Sequence, residues 1–181
     1  MKIFKHSNVI RLKDLQKTSN SFYIISEYCN GGNLSDLLKY YHDTNKSQLN
    51  EIYIQKKIRQ ISSGLEYINS KNIIHRGITL ENIAINFNNY PNIVIKDKML
   101  SKIKYSEITL NDDFTLKIDN MEYSKNLQNL KSTKTFVDDP KTMSPDMLSG
   151  KSYNNKIDLW SLGVLTYELL IGEKPFFRRE Y

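Results

Sequence analysis

The chain has 181 residues, of which 39% are hydrophobic and 25% charged, a composition typical of one ordinary globular domain. Its formal net charge is +6, but the basic side chains are spread among 20 acidic ones, so no dense tract indicates nucleic-acid binding. The single cysteine, Cys29, excludes a disulfide within the chain and predicts a reducing, cytoplasmic location.

The first 32 residues predict two strands. The segments "NVIRL", residues 8–12, and "SFYIISEY", residues 21–28, are rich in β-branched and aromatic side chains. The polar "KDLQKTSN" between them is predicted to be a connection. "CNGGNL" then predicts a turn, and "NLSDLLKYY" predicts a helix for which Asn33 or Ser35 is the expected N-terminal cap.

Two longer helices are predicted further along the chain. The first has an apolar stripe at every third or fourth position, formed by Ile54, Ile58, Ile61, Leu65 and Ile68. The second, residues 158–172, is apolar nearly all round, so we expect it to be buried on several sides. Its apolar run is shorter than the ~20 residues that a membrane span needs and contains Glu168. We therefore expect no membrane span.

Short strands are predicted around a central polar loop. In "NIIHRGITLENIAI", residues 72–85, an apolar run stands on either side of the loop, and "FTLKI", residues 114–118, is a further strand. The insert 88–113 is too long for an ordinary connection, although its alternation allows a hairpin, and it has no assignable role. From residue 119 to Lys141 the polar sequence predicts a long surface loop.

These segments, in this order, resemble the motifs of the eukaryotic protein kinases. "HSNVIRL" resembles the family's HPNIV segment, "YIISEYCNGGNL" its hinge, and "IIHRGITLEN" its HRDxKxxN catalytic loop. "LKIDNMEYSK" resembles the strand that leads into DFG, "TMSPDML" the APE motif, and "YNNKIDLWSLGVLTYELLIGEKPF" the long buried helix with its D-x-W-S-x-G signature. The resemblance spans nearly the whole chain. "EYCNGGNL" and the long insert are similar to the unc-51-like serine/threonine kinases.

The resemblance implies an α+β, protein-kinase-like fold that is incomplete at both ends. Residues 1–32 would be the last two strands and the hinge of the N-lobe, and residues 33–181 the helical C-lobe through the central buried helix. No glycine-rich phosphate loop and no VAIK-like lysine precede the matched part. The chain also stops before the helices that should cover the buried helix, so we expect an exposed apolar flank on residues 159–171.

The resemblance also implies that the catalytic groups are replaced. Gly77 stands where the family has its catalytic aspartate, and Thr79 replaces the loop lysine that steadies the transferring phosphate. Asn82 matches the asparagine that binds the second magnesium. Asn120 falls at the metal-binding aspartate of DFG, where an amide lacks the charge that offsets Mg²⁺. Sliding this frame by one residue would instead make Asp119 the metal ligand.

Four hinge positions are candidates for contact with a nucleotide. By the same resemblance, Ser26 is the gatekeeper, Glu27 and Cys29 supply hinge backbone groups, and Asn33 lies near the ribose. Only half of the nucleotide pocket is expected, so ATP binding should be weak or nil. Magnesium is expected only if the chain is active.

The positions that support the catalytic loop are retained. His75, Asp158, Trp160 and Gly163 match residues that hold this loop on the buried helix. We expect Asp158 to accept hydrogen bonds from the backbone N–H groups of the turn formed by His75 and Arg76. The scaffold therefore persists although the catalytic groups are lost.

An acidic pair in the segment before the APE-like motif has two interpretations. In "FVDDPKTMSPDML", Asp138 and Asp139 stand where the family has Gly-Thr. One of them is predicted to pair with Arg76 and to hold the segment as a phosphorylated residue would. The alternative is a solvated acidic pair.

The sequence therefore predicts a pseudokinase, a catalytically inactive kinase-like domain that acts as a protein-binding or regulatory scaffold. The expected partner is another protein, for example an active kinase. The alternative is a serine/threonine protein kinase that transfers phosphate from ATP to protein and whose gene model is incomplete. A third reading is a degenerating fragment with no selected function.

Overall fold

The computed structural model describes residues 4–43, 49–87, 114–127 and 139–176, so the insert 88–113 and Asp138 lie outside the described residues. These ranges combine helices with antiparallel strand pairs, which agrees with the mixed character expected from the sequence. The strands are β1 (Leu12–Lys17), β2 (Phe22–Ser26), β3 (Ile73–Ile74), β4 (Ile83–Phe87), β5 (Phe114–Ile118) and β6 (Lys125–Asn126). The helices are α1 (Leu34–Asp43), α2 (Glu51–Ser70), α3 (Pro145–Leu148) and α4 (Lys156–Ile171), with 3₁₀ turns at Leu80–Asn82 and Met121–Tyr123.

The first strand differs from the prediction. Residues 8–12 do not form a strand: Val9 makes only a parallel bridge to Ile118, and β1 begins at Leu12. β1 then runs through most of the polar segment predicted as a connection and pairs antiparallel with β2. Nearly all side chains of this pair are exposed. The alternation of buried and exposed residues that reveals a half-buried strand is therefore missing from the β1 sequence.

The core is built around α2. The side chain of Asn50 accepts a hydrogen bond from the backbone N–H of Ile52 at 2.8 Å and so caps the helix start. Most of the predicted apolar stripe is buried, and Ile58 packs against the same cluster. Each fully buried Leu or Ile contributes about 1.5–3 kcal/mol. A Cβ on Gly64 would lie 2.5 Å from the carbonyl oxygen of Asn8, so α2 approaches the N-terminal segment at a distance that only glycine allows.

The apolar helix α4 is buried on one side and ends at Gly172, whose φ of 92° is left-handed. Its buried face packs against α2. Leu159 is 56% exposed, and Tyr167 and Ile171 are exposed on the same flank, so burial on several sides is not found in the described part of the chain. The exposed flank expected from the sequence is present. No helix in the described ranges is both long and apolar enough to cross a membrane.

Strands β4 and β5 carry the central loop and hold the hinge turn against it. They pair over five residues, from Ile83 opposite Ile118 to Phe87 opposite Phe114. The N–H of Gly31 donates to the carbonyl of Ile85 at 2.8 Å. A Cβ on Gly31 would lie 2.5 Å from the Ile85 side chain, so a side chain there would push the turn away.

Candidate functional site

A buried carboxylate anchors the loop between β3 and β4. Asp158, fully buried in α4, accepts hydrogen bonds from the backbone N–H groups of His75 at 2.9 Å and Arg76 at 2.8 Å. Burial raises the pKa of Asp158 to about 6, while these two hydrogen bonds and the nearby Arg76 charge oppose the rise. At neutral pH the carboxylate is charged and holds the turn through charge-assisted bonds. The predicted role of Asp158 is confirmed.

His75 joins the same loop to the end of β5. Its ring is fully buried, and burial lowers the pKa of His75 to about 4 despite the hydrogen bond at the carbonyl of Asp119. Because Nδ1 accepts from the N–H of Gly77 at 3.2 Å, Nε2 carries the proton and donates to the carbonyl of Asp119 at 2.8 Å. The imidazole is therefore a neutral structural link at physiological pH.

The guanidinium of Arg76 is used differently from the prediction. Arg76 has a left-handed φ of 67°, its Nε donates to the carbonyl of Tyr123 at 2.6 Å, and its Nη1 donates to the hydroxyl of Tyr153 at 3.3 Å. Asp139 instead pairs with Lys174 at 2.8 Å. Burial disfavours the Asp139 charge, but the hydrogen bonds from Lys174 and from the backbone N–H of Lys141, together with the charges of both lysines, outweigh it and lower the pKa of Asp139.

The predicted pairing of Asp139 with Arg76 is therefore wrong. Lys174, which follows the end of α4, supplies the cation, and the arginine is committed to a backbone carbonyl instead. The other acid considered for this pairing, Asp138, lies outside the described residues. Its pairing with Arg76 therefore stays a prediction.

Three of the four positions matched to catalysis and metal binding form a relay, meaning a chain of hydrogen bonds between neutral groups. The side-chain amide of Asn120 donates to Oδ1 of Asn82 at 3.1 Å, and the amide of Asn82 donates to the carbonyl of Gly77 at 2.9 Å. Asn120 adopts a left-handed backbone with φ 56°, which asparagine tolerates better than most residues. Thr79 is buried and begins the turn Leu80–Asn82, so its hydroxyl does not lie open to the cleft.

This donor set does not fit a magnesium ion. Magnesium favours carboxylate oxygens, whereas Oδ1 of Asn82 already accepts a hydrogen bond and Asn120 presents its N–H₂ group. The carboxylate of Asp119 accepts from the backbone N–H of Asn120 at 2.7 Å. Across the described ranges, no three His, Cys, Asp or Glu side chains are grouped to hold a metal. The backbone N–H of Asp119 donates to the carbonyl of Asn82 at 2.9 Å, so both residues contact Asn82 and the two frames for the metal position stay predictions.

The hinge residues lie along the connection between β2 and α1. Ser26 ends β2 and lines a cavity of about 500 Å³. The carboxylate of Glu27 accepts from the backbone N–H of Arg11 at 2.8 Å and from Nζ of Lys117 at 2.9 Å, which ties the hinge to β5. Burial, assisted by the Glu27 charge, raises the pKa of the Cys29 thiol to about 11, so this thiol stays protonated.

Of the two caps expected for α1, Asn33 and Ser35, the structure has Asn33 as the cap. Its Oδ1 accepts from the N–H of Asp36 at 2.9 Å, and the Asp36 carboxylate accepts from the N–H of Asn33 at 3.2 Å. This reciprocal pair is a capping box at the start of α1. The roles of Ser26, Glu27, Cys29 and Asn33 toward a nucleotide stay predictions.

One hinge residue was missed by the sequence analysis. Asn30 is buried, and its Oδ1 accepts from the backbone N–H of Phe87 at 2.8 Å, which fastens the turn to the end of β4. An asparagine before two glycines is typical of any turn, so no feature of the sequence indicates that Asn30 contacts a strand far along the chain.

Comparison with known proteins places this geometry in context. The sequence model of one family, described as "Protein kinase domain", matches residues 1–181. "Serine/threonine-protein kinase ULK1" of Homo sapiens is 32% identical over 176 residues, which cover 97% of this chain and 15% of that protein. "Serine/threonine-protein kinase unc-51" of Caenorhabditis elegans is 31% identical over 172 residues, or 95% of this chain and 18% of that protein.

A third relative completes the pattern. "Serine/threonine-protein kinase ATG1" of Kluyveromyces lactis is 29% identical over 196 aligned positions, which cover 97% of this chain and 23% of that protein. The chain thus spans less than a quarter of the length of each of these relatives. Together they support the predicted likeness to the unc-51-like kinases.

Proposed function

Because the chain belongs to the protein kinase family, we propose that it is a pseudokinase that serves as a protein-binding or regulatory scaffold. The observation that carries this proposal is the neutral relay from Asn120 through Asn82 to the carbonyl of Gly77. The expected partner is another protein, for example an active kinase. The free Cys29 favours the reducing environment of the cytoplasm.

The electrostatics of phosphoryl transfer support this proposal. The reaction depends on metal ions and positioned charges that stabilise the transferring group, and on a group that accepts or orients the proton of the attacking hydroxyl. Gly77 has no side chain to serve as that acceptor, and Asn120 provides no negative charge for a metal. The charged framework at Asp158 is meanwhile intact. Selective loss of this kind favours a role for the folded domain itself.

Phosphate transfer is the direct test. The purified chain is incubated with labelled ATP, a generic basic substrate, and either Mg²⁺ or Mn²⁺, beside an Asn82→Ala variant. We expect no transfer above the protein-free background in either sample. Calorimetry should show ATP binding that is weak or absent and unchanged by magnesium. Phosphate transfer that occurs in the wild type and disappears in the variant would overturn the proposal. Transfer at the same rate by both proteins would come from a contaminating kinase.

The second candidate is an active serine/threonine kinase that uses ATP and magnesium. The names of the relatives and the retained contact of His75 and Arg76 with Asp158 favour it. Variant-sensitive transfer in the assay above would establish it. The scaffold role has its own test, which is the isolation of a stoichiometric protein partner with the tagged chain from its native cells. If the chain neither transfers phosphate nor binds a stoichiometric protein partner, the remaining interpretation is a degenerating fragment.

A further inference from the structure

Tyr153 brings a modifiable hydroxyl group to the guanidinium of the central loop. The residue is half-buried and lies in the irregular segment 149–155, between α3 and α4. Its hydroxyl accepts a hydrogen bond from Nη1 of Arg76 at 3.3 Å. Its ring packs against a small core cluster formed by Ile74, Met143, Met147 and Ile157. The packed ring therefore holds the phenolic oxygen beside a permanent cation.

The charge of Arg76 meets only neutral acceptors among the described residues. Its Nε donates to the carbonyl of Tyr123, and its Nη1 donates to the hydroxyl of Tyr153. The carboxylate of Asp158 binds the backbone N–H groups of His75 and Arg76 rather than the guanidinium. A guanidinium has five N–H donors. An anion on the Tyr153 oxygen would therefore find a charge and further donors already in place.

The segment around Tyr153 is accessible to a second enzyme. Ser152 and Asn154, the residues on either side of it, are exposed. In the described part of the chain, the backbone groups of Ser152 and Tyr153 make no hydrogen bond. Drawing these residues into another active site therefore breaks no backbone hydrogen bond. The stretch "SGKSYNNK", residues 149–156, also contains two lysines and no acid, so a phosphate there meets no repulsion from its neighbours in sequence.

We infer that Tyr153 is a phosphorylation site and that its phosphate binds the guanidinium of Arg76. A separate kinase that accepts tyrosine transfers the γ-phosphoryl group of ATP. The phenolic oxygen forms a bond to the γ-phosphorus, the bond from that phosphorus to the bridging oxygen of ADP breaks, and the phenolic proton passes to the separate kinase. The phosphate fastens the segment 149–155 to the central loop. This inference rests on the proposed function, because the modifying enzyme is the active kinase expected as a partner.

The first test asks whether the folded chain is modified at this position. The full chain is incubated with ATP, magnesium and a broad-specificity tyrosine kinase domain, and mass spectrometry maps phosphate over its 12 tyrosines. We expect phosphate at Tyr153, and its loss from that peptide in Tyr153→Phe. Tyr53 is the matched control, because it is only 8% exposed and should stay unmodified. Absence of phosphate from Tyr153 would overturn the inference.

The second test asks whether the phosphate contacts Arg76. Phosphotyrosine is incorporated at position 153 during synthesis of the full chain, and its titration is followed by ³¹P NMR. The second pKa of a phosphotyrosine is ordinarily about 6. Contact with the guanidinium favours the dianion and should lower this pKa by about 1. Arg76→Gln should return the pKa to its ordinary value, and Arg76→Lys, which keeps the charge, should return it only in part.

Tyr28 provides the control for the second test. It is 63% exposed, so a phosphotyrosine incorporated there should titrate near its ordinary pKa, whichever residue stands at position 76. Chemical unfolding verifies that each variant is folded, and Arg76→Lys serves if Arg76→Gln is not. Equal pKa values for phosphates at positions 153 and 28, or a lowered pKa that both Arg76 variants leave unchanged, would overturn the inference.

The phosphate-transfer assay distinguishes this inference from the proposed function. A chain that phosphorylates itself without an added kinase, and loses this activity in Asn82→Ala, contradicts the pseudokinase proposal. It does not contradict a phosphate that binds Arg76. Lack of self-phosphorylation combined with an ordinary pKa at position 153 contradicts the inference about Tyr153 alone.

Discussion

The two sides of the central loop treat charge in opposite ways. On the side of α4, Asp158 is buried and charged and binds two backbone N–H groups of the loop. On the side of the cleft, Asn82, Asn120 and Gly77 form a neutral chain of hydrogen bonds. Removing a buried acceptor leaves its donors without partners at a cost in folding stability. Replacing a carboxylate in the partly exposed cleft removes a catalytic group but costs little stability. A buried charge such as that of Asp158 is therefore retained for folding stability, whereas a charge in the cleft would be retained only for catalysis.

The largest effect is expected from Asp158→Ala. The substitution leaves the N–H groups of His75 and Arg76 buried without their acceptor, so the free energy of unfolding should fall by about 3–5 kcal/mol. Denaturant titration measures the change. Asp146→Ala is the control, because Asp146 is exposed, and a change within about 0.5 kcal/mol is expected there. Equal effects at both positions would remove the contrast between the two sides of the loop.

The pH dependence of stability tests the neutral His75. Its pKa falls from 6.5 to about 4 on folding, so its contribution to stability is complete above pH 6.5 and is lost as the pH falls through 4. The wild type should therefore gain on the order of 3 kcal/mol over His75→Gln between pH 4 and pH 7. Urea titrations of both proteins across this range give the difference. A constant difference would mean that folding does not shift the pKa of His75.

Asp158 has the opposite pH dependence and partly masks His75 in the wild type. Its pKa rises from 3.8 to about 6 on folding, so its contribution is complete below pH 3.8 and is lost as the pH rises through 6. The two slopes oppose each other between about pH 4 and pH 6. We expect the wild type to change less over this interval than His75→Gln, whose stability should decrease as the pH rises.

A smaller effect is expected on the cleft side. Asn120→Ala removes the hydrogen bond to Asn82 and places alanine at a left-handed backbone position, which should cost about 1–2 kcal/mol of stability. Asn120→Gly loses the same bond without the backbone penalty, so it should cost less. Thermal unfolding of the two variants separates these contributions. If glycine were the more damaging substitution, strain at this position would not explain the choice of asparagine.

The smallest effect is expected from Lys174→Ala. Its ion pair with Asp139 is partly exposed, with the aspartate side chain 37% accessible. Pairs of this kind contribute about 0.2–1 kcal/mol and are screened by salt. Unfolding in low and high salt should therefore show a difference from the wild type that shrinks as salt increases. A loss near that of Asp158→Ala would show that the pair anchors the segment before α3.

The sequence predicts contacts well where burial and chemistry agree. The stripe on α2, the strand "FTLKI" and the bonds of Asp158 to the loop were predicted, and the cap at Asn33 was one of the two alternatives. β1 was misplaced because both faces of its strand pair are exposed, so its residues show no alternation. The link between Asn120 and Asn82 joins positions 38 residues apart and leaves no periodic signal. The pairing of Asp139 with Lys174 was not predicted because it depends on the residue at which α4 ends. Similarity to a motif does not specify that residue.

The attachment of the N-terminal segment to β5 has a consequence for how the chain folds. The side-chain amide of Asn8 donates to the carbonyl of Leu116, which is 108 residues away, and the Asn8 carbonyl accepts from the N–H of Ile118. Contacts between such distant positions require closure of a long loop, which slows folding. During synthesis Asn8 can therefore form these hydrogen bonds only after residues 116 to 118 have emerged from the ribosome.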